Sequence, residues 1–397
     1  MQAPKIAIPV RTSPGFPLKT CGNDGLWKRL TANQHGLAPS GACGLPVKEA
    51  TLRIFTWSIT AMALVVTLIL PTIATAQQNS AVIENAKKEG EVIWYGTLTG
   101  GSIVGRIIGT FESKYPFIKV KYLRLGGAGF IERIRSESRA GKYLWDVATA
   151  EYIQFFELPK YVTLAKYTPP DFAHYSPKHR GPNGTWVSFY GAIATIAWNT
   201  RTVKPAEAPK DWKDLLDPRW KGKKIGLPAE AFQWYGGMVA YMGDKAGREY
   251  MKALAEQDPQ TQAGYTNTSN LLVAGEFPVA VIRAHRIEDA RSKGAPVDWS
   301  ADANPIVISI HPIGISEKAL HPNAARLFED FLTSVEGQSL FTEEGFLSSH
   351  AGVRPRFPRM SLDRIKYPAP PDSKVSERIQ TWITEYQQTF RLPVARK

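Results

Sequence analysis

Cysteine is almost missing from this sequence: Cys21 and Cys43 are its two occurrences in 397 residues. Both precede an uncharged, mostly apolar stretch at 54–70, and neither follows an apolar run as a lipid-modified cysteine would. A chain cut after that stretch has no cysteine, which excludes disulfides, thiolate–metal ligation and cysteine nucleophiles. Catalytic motifs are missing as well. Residues 77–397 hold no Gly-x-Ser-x-Gly elbow and no His-Glu-x-x-His pair, so an enzyme would need a site assembled from distant residues. The turn at 97–101 lacks the Gly-Lys-Ser/Thr ending of a phosphate loop, and Gly126–Gly129 lacks Gly-x-Gly-x-x-Gly spacing. His174, His179, His311, His321 and His350 have no metal-ligand spacing. Zinc-type Cys/His spacing, an RNA-binding aromatic signature and a basic helix are also missing, so a nucleic-acid partner is not expected.

Charge points the same way. The chain carries 49 basic and 36 acidic residues, an excess of 13. Seven of the basic and two of the acidic residues lie in 1–76, which leaves 42 against 34 in the rest. The basic residues occur singly or in short groups such as Lys221, Lys223 and Lys224, which reads as a solvated surface. Hydrophobic content of 43% and charge of 21% are ordinary for a globular protein, and the length suffices for two cores. Eleven tryptophans leave aromatic side chains to line a site.

The 54–70 stretch follows Lys48 and Arg53 and precedes Pro-Thr-Ile-Ala-Thr-Ala at 71–76. A basic flank, an apolar run and an Ala-x-Ala end make a cleavable secretory signal over 47–76, with Gln77 the first mature residue and the periplasm the destination. The run is at the short limit for a membrane span. Residues 1–46, rich in Pro, Gly and Thr without hydrophobic periodicity, are expected to be a non-native or disordered extension, with a true start near Val47.

The mature region alternates strand and helix patterns. Val92–Tyr95 is a short apolar run that reads as a buried parallel strand. Ile103, Ile107, Ile108 and Phe111 recur at helical spacing, and Ile118, Val120 and Tyr122 at strand spacing. Phe130, Ile131 and Ile134 mark a second helix and Asp146–Ala150 a third strand. This β-α-β-α-β order implies an α/β protein with a parallel, doubly wound sheet. Ligands of such sheets bind at the carboxyl ends of the strands, here near Tyr95–Gly101, Leu125–Gly129 and Glu151. A strand at 186–200 crosses to a second lobe, a strand at 305–315 returns, and a helix at 375–390 packs across the lobes. The expected division is 77–195 for the first lobe, 196–304 for the second, 305–360 for the return and 361–397 for the tail.

Three stretches carry a resemblance: Asp-Trp-Lys-Asp-Leu-Leu-Asp-Pro-Arg-Trp-Lys-Gly-Lys at 211–223, Ala-Trp-Asn-Thr at 197–200, and Leu-Phe-Glu-Asp-Phe-Leu-Thr-Ser-Val-Glu-Gly-Gln at 327–338. In order and spacing the chain resembles the bacterial periplasmic solute-binding proteins that include the ferric-ion binders. The resemblance implies a two-lobed type II periplasmic-binding fold with an interlobe ligand cleft. It further implies delivery of a small molecule to an inner-membrane ABC permease, by a monomer that needs no cofactor and is not an enzyme. Ferric binders of this kind use a histidine after the first strand, a carboxylate after the Asp-Val strand and two adjacent tyrosines. Here the first position reads Thr97-Leu98-Thr99-Gly100, the second is Glu151, and the tyrosine positions fall in Arg283-Ala284-His285-Arg286. Iron(III) is a hard cation that favours phenolate ligands, so the expected ligand is a small anionic or zwitterionic organic solute. Iron(III) or an iron chelate is the alternative, and a secreted enzyme is a further one.

The candidate ligand-binding residues follow from these positions. Thr97, Thr99 and Gly100 open a helix and offer hydroxyls and free N–H groups to an anion, or form a plain capped turn. Tyr95, Tyr190, Trp234 and Tyr235 are candidate aromatic walls, each also a candidate for packing. Thr268 and Ser269 match hydroxyl positions of the resembled family, with helix capping as the simpler role. Arg286, with Arg283, suits a carboxylate or phosphonate bidentately. Glu151 and His285 would be the ligands if a metal were bound.

Overall fold

The computed structural model describes residues 80–98, 101–361 and 373–392. The signal segment, Thr99 and Gly100 lie outside the described residues. A helix α1 over 80–89 leads into β1 (Glu91–Gly96), α2 (Gly101–Lys114), β2 (Lys119–Arg124), α3 (Gly127–Arg139) and β3 (Val147–Thr149). These strands pair in parallel, β2–β1–β3, as the alternating pattern requires. Ile103, Ile107 and Phe111 of α2 and Phe130 and Ile134 of α3 are buried, so both apolar stripes face the sheet.

After α4 (Tyr152–Phe155), the long β4 (Val187–Asn199) runs buried throughout its length. Then follow β5 (Ile225–Pro228), α5 (Phe232–Met242), α6 (Asp244–Glu256), β6 (Gln260–Gln262), α7 (Gly264–Ala274), β7 (Val279–Arg283), α8 (Ala284–Ser292) and β8 (Val297–Trp299). β9 (Val307–Ile315), α9 (Pro322–Thr333), α10 (Val335–Glu343) and α11 (Ser373–Thr389) complete the chain. Among the described residues nine strands form one sheet in the order β2-β1-β3-β9-β4-β7-β5-β6, with β8 on β4. The pattern in the sequence anticipates a separate sheet for each lobe. Instead β9 and β4 pair antiparallel at the centre, Val187–Ala194 against Val307–Ile313, and each goes on to pair with a strand of one half, which joins the two.

Each half has its own core. Trp94, Ile107, Phe111 and Phe328 lie in the first, and Trp212, Trp234, Val281 and Trp382 in the second. The stretches that carry the family resemblance are built into these cores. Asp211 caps the 3₁₀ turn at Trp212–Leu216 in a reciprocal capping box with Asp214. The Trp212 indole N–H donates to the Pro305 carbonyl at 2.6 Å. Asn199 donates to the Leu272 carbonyl at 2.9 Å, satisfying the end of α7. Gln338 donates to the Phe189 and Leu332 carbonyls and accepts from Ser348.

Two features depart from the expected division. Residues 347–361 do not stay in the first half: Leu347 bridges to Gly191 of β4, yet Arg359 reaches Asp298 and the Trp299 carbonyl. The C-terminal helix α11 buries Ile379, Trp382 and Tyr386 in the second core, and its Gln380 donates to Glu157 after α4. The apolar face packs on one half, and Gln380 makes the contact to the segment after α4. α5 has glycines at 236 and 237, which argue against a helix. They are required by close packing, since a Cβ on Gly236 would lie 2.2 Å from Trp382 and one on Gly237 2.6 Å from Val307. Gly236→Ala is therefore expected to destabilise the protein by about 1–3 kcal/mol through overpacking, read as a lower urea midpoint.

Candidate functional site

A cavity of about 390 Å³ opens between the two halves of the sheet. Ser102 and Ile103 at the start of α2, with Glu344 and Phe346 after α10, line it from the first half. Thr266, Ser269 and Asn270 of α7 and His285, Arg286 and Asp289 of α8 line it from the second. Three residues singled out in the sequence, Ser269, His285 and Arg286, meet here.

The charges in this wall are unequal. Asp289 is held by Lys293 at 2.7 Å and Glu344 by Arg106 at 3.0 Å. Arg286 is half-buried, and among the described residues no carboxylate lies within 4.0 Å of its guanidinium. Burial, then the charge of Arg283, pulls the Arg286 pKa below its ordinary value. His285 beside it is 7% exposed, and its Nδ1 is buried without a hydrogen-bond partner among the described residues. Burial and the neighbouring Arg286 and Arg283 hold its pKa well below that of a free imidazole, so at neutral pH the ring is uncharged. Phe346 covers it at 4.4 Å between ring centroids. The wall thus holds a half-buried cation with no ion-pair partner among the described residues, beside neutral donors and two carboxylates that are paired elsewhere, a setting that favours an anionic group.

A second polar group of side chains adjoins it through Tyr265, next to Thr266, and Arg283, two residues before His285. Glu151, following β3, accepts from Gln233 Nε2 of α5 at 2.9 Å and lies 3.6 Å from Arg283 at the end of β7. Arg283 also donates to the Ala192 carbonyl and stacks 4.2 Å over Tyr265. Burial pushes the Glu151 carboxyl up, Arg283 pulls it down, and Glu230 adds to the rise. His311 of β9 lies 3.9 Å from Glu151 and stacks on Tyr190 at 4.0 Å. Its pKa is held well below the ordinary value, first by burial and then by Arg283.

Other candidates turn out to be packing. Trp234 is fully buried beside Trp212. The Tyr235 hydroxyl donates to Glu385 of α11, and that of Tyr95 to Glu137 of α3 at 2.9 Å. Tyr190 has both faces taken, by His311 on one side and Phe341 on the other. These rings were candidates because aromatics lie near strand ends, but in this chain burial uses their whole surface. Thr268 and Ser269 do not cap α7; their hydroxyls donate back to the Gly264 and Tyr265 carbonyls within it. Thr97 is half-buried, and its backbone N–H donates to the Thr149 carbonyl. Sequence reading did not single out Ser102, Thr266, Asn270, Phe346, Gln233, Tyr265 or His311. None belongs to a motif, and contacts across the sheet bring them together.

Among the described residues one group, Asp171, His174 and His350, places three ligand atoms within 4.8 Å of one another. His350 Nδ1 accepts the Gly352 N–H at 3.0 Å, which leaves the proton of the neutral ring on Nε2, 3.4 Å from an Asp171 carboxylate oxygen and without a hydrogen bond among the described residues. In that state Nε2 has no lone pair to offer a metal. Glu151 and His285 belong to no such group among the described residues.

Buried neutral imidazoles give the fold an acid limit. The folded pKa values of His285 and His311 are depressed, so the unfolded chain takes up protons first as pH falls through about 6.5. Stability present above that value is lost below it. Melting temperature is expected to fall from pH 7 to pH 5, and less steeply in His311→Gln.

A model of the bacterial extracellular solute-binding proteins matches residues 150–366, more than half of the chain. The protein belongs to that family. Members bind small solutes on behalf of ABC permeases outside the cytoplasm. An uncharacterized protein of Haemophilus influenzae is 26% identical over 279 residues, 67% of this chain and 79% of that one. In fold, the solute-binding protein resembles the periplasmic binding protein AfuA from Actinobacillus pleuropneumoniae, solved with exogenous fructose-6-phosphate bound. The TM-score is 0.66 at 20% identity, over 77% of this chain and 99% of that one. It likewise resembles iron-bound HitA from Pseudomonas aeruginosa, at TM-score 0.66 and 19% identity, over 75% and 99% of the two chains. The type II periplasmic-binding fold is thus established.

Proposed function

We propose that this solute-binding protein holds a small anionic or zwitterionic organic solute between two lobes and passes it unchanged to an inner-membrane ABC permease. The observation that carries the reading is Arg286, a half-buried guanidinium on the wall of the cavity without an ion-pair partner among the described residues. A carboxylate, phosphate or phosphonate would take bidentate hydrogen bonds from it. AfuA, with a sugar phosphate, is a relative in fold that holds an organic anion.

Iron fits this chain less well, although HitA holds it. Glu151 is already engaged by Arg283 and Gln233. Burial pushes the Tyr190 hydroxyl well above its ordinary value, away from the phenolate a ferric ion needs.

Among the described residues no helix is long and apolar enough to cross a membrane. With the 54–70 run and its Ala-x-Ala end, we read residues 1–76 as absent from the exported protein and Gln77 as its first residue. Intact mass of the exported protein tests this, and a mass that retains 54–70 would mean an anchored form. Binding itself is tested by scattering: added solute is expected to compact the two lobes and to be recovered chemically unaltered. Recovery of a converted product at catalytic rates would overturn the binding role.

A further inference from the structure

Beside the cavity, one residue from Thr266 and two from His285 along the chain, Tyr265 and Arg283 belong to a group whose charge is opposite to that of Arg286. Glu151 and Glu230 bring two carboxylates, and among the described residues no cation other than Arg283 lies within ion-pair distance of either, apart from His311 near Glu151. His311 is uncharged at neutral pH for the reason given above. Glu230 sits beside the start of α7, where its Oε2 would lie 3.6 Å from a Cβ on Gly264. One guanidinium against two carboxylates leaves an excess of one negative charge.

A second, independent observation marks what is expected there. Gln233 is 4% exposed and uses its amide N–H on Glu151, so its carbonyl Oε1 is left as a buried acceptor without a partner among the described residues. Because an ionised carboxylate can only accept, the amide cannot be turned round to remove this vacancy. The Tyr265 hydroxyl is likewise buried and has no partner among the described residues, in the same α7 that contributes Thr266 and Ser269 to the cavity. Unpaired buried acceptors are costly and rare. Two carboxylates, an amide oxygen and a phenol oxygen suit a group that donates several hydrogen bonds and carries one positive charge.

We infer that Glu151, Glu230, Gln233 and Tyr265 form an ammonium subsite adjoining the cavity, so that the solute is a zwitterion whose amine meets this group while its anionic group meets Arg286. The inference rests on the reading of Arg286 as the anion contact and narrows it. Arg283 beside Glu151 disfavours a divalent cation in the same place, because the net charge to be matched is one.

Calorimetry of the mature protein with matched probes tests the assignment. The amino series is 4-aminobutyrate and 3-aminopropylphosphonate; the anion series is butyrate and propylphosphonate. The amino probes are expected to bind at least tenfold more tightly than their partners. Glu230 is exposed, so Glu230→Gln should fold; it is expected to weaken the amino probes at least tenfold and to tighten the plain anions. Plain anions that bind as tightly as the amino probes, still dependent on Arg286, would overturn the ammonium subsite and leave the anion reading standing. Calcium binding on its own, lost in Glu230→Gln, would also overturn it in favour of a metal. Failure of both series to bind, in wild type and in Arg286→Ala alike, would overturn both readings.

Discussion

Arg286→Ala is expected to weaken binding of an anionic solute roughly ten- to 150-fold, the loss of about 1.5–3 kcal/mol that charged hydrogen bonds supply. The reason lies in what the guanidinium lacks. Asp289 and Glu344 face the same cavity, but each is held by its own surface cation, whereas Arg286 has no carboxylate within 4.0 Å among the described residues. Burial already strains its charged form, as its lowered pKa records. An incoming anion relieves that strain, so the interaction is worth more here than on an open surface. Folding should survive the substitution, since removing an unpaired cation leaves no buried carboxylate behind. Melting of the variant at or above the wild-type temperature, with affinity lost in calorimetry, is the expected combination. A variant that keeps full affinity would show that the anion sits elsewhere.

The second large effect is expected from Arg283→Ala. Arg283 is buried, with its charge shared between Glu151 and the Ala192 carbonyl and its plane over Tyr265. Removing it leaves Glu151 without its compensating charge, and breaking a buried pair from one side typically costs 3–5 kcal/mol. Glu151 is a third exposed, so water recovers part of this and a loss of about 3 kcal/mol is expected. Changing Glu151 to Gln in the same chain removes the stranded charge and should restore a substantial part of the loss. Urea unfolding of the two single variants and the double variant measures the coupling. If the double variant is no more stable than Arg283→Ala, the pair contributes little and the loss comes from packing alone.

Much of the fold was legible because burial imposes periodicity. The stripe Ile103, Ile107, Phe111 and the alternation Ile118, Val120, Tyr122 depend only on which face meets the core. The motif at 211–223 was legible for a related reason: Asp211, Trp212 and Trp220 are capping and core residues of one local structure. The cleft was less so. Its residues come from α2, α7, α8 and the turn after α10, and no spacing rule links Ser102 to Arg286. His285 and Arg286 entered as candidates through the ligand positions that the family resemblance marks, not through any spacing rule. The aromatic candidates misled because a tryptophan that closes a core and one that closes on a ligand look alike in sequence. Trp234, packed on Trp212, is the former. Gly236 shows the converse, a helix obscured by a glycine whose reason, Trp382, lies on a distant helix.

The central claim is that the cleft at Arg286 holds an organic anion and not a metal ion. It is tested most directly on protein purified rapidly from the periplasm, by mass spectrometry of what it releases on denaturation together with metal analysis. The account predicts a near-stoichiometric organic molecule bearing a carboxylate, phosphate or phosphonate, without iron, and its absence from Arg286→Ala. Stoichiometric iron with no organic anion, retained in Arg286→Ala and lost in Glu151→Ala, would contradict it.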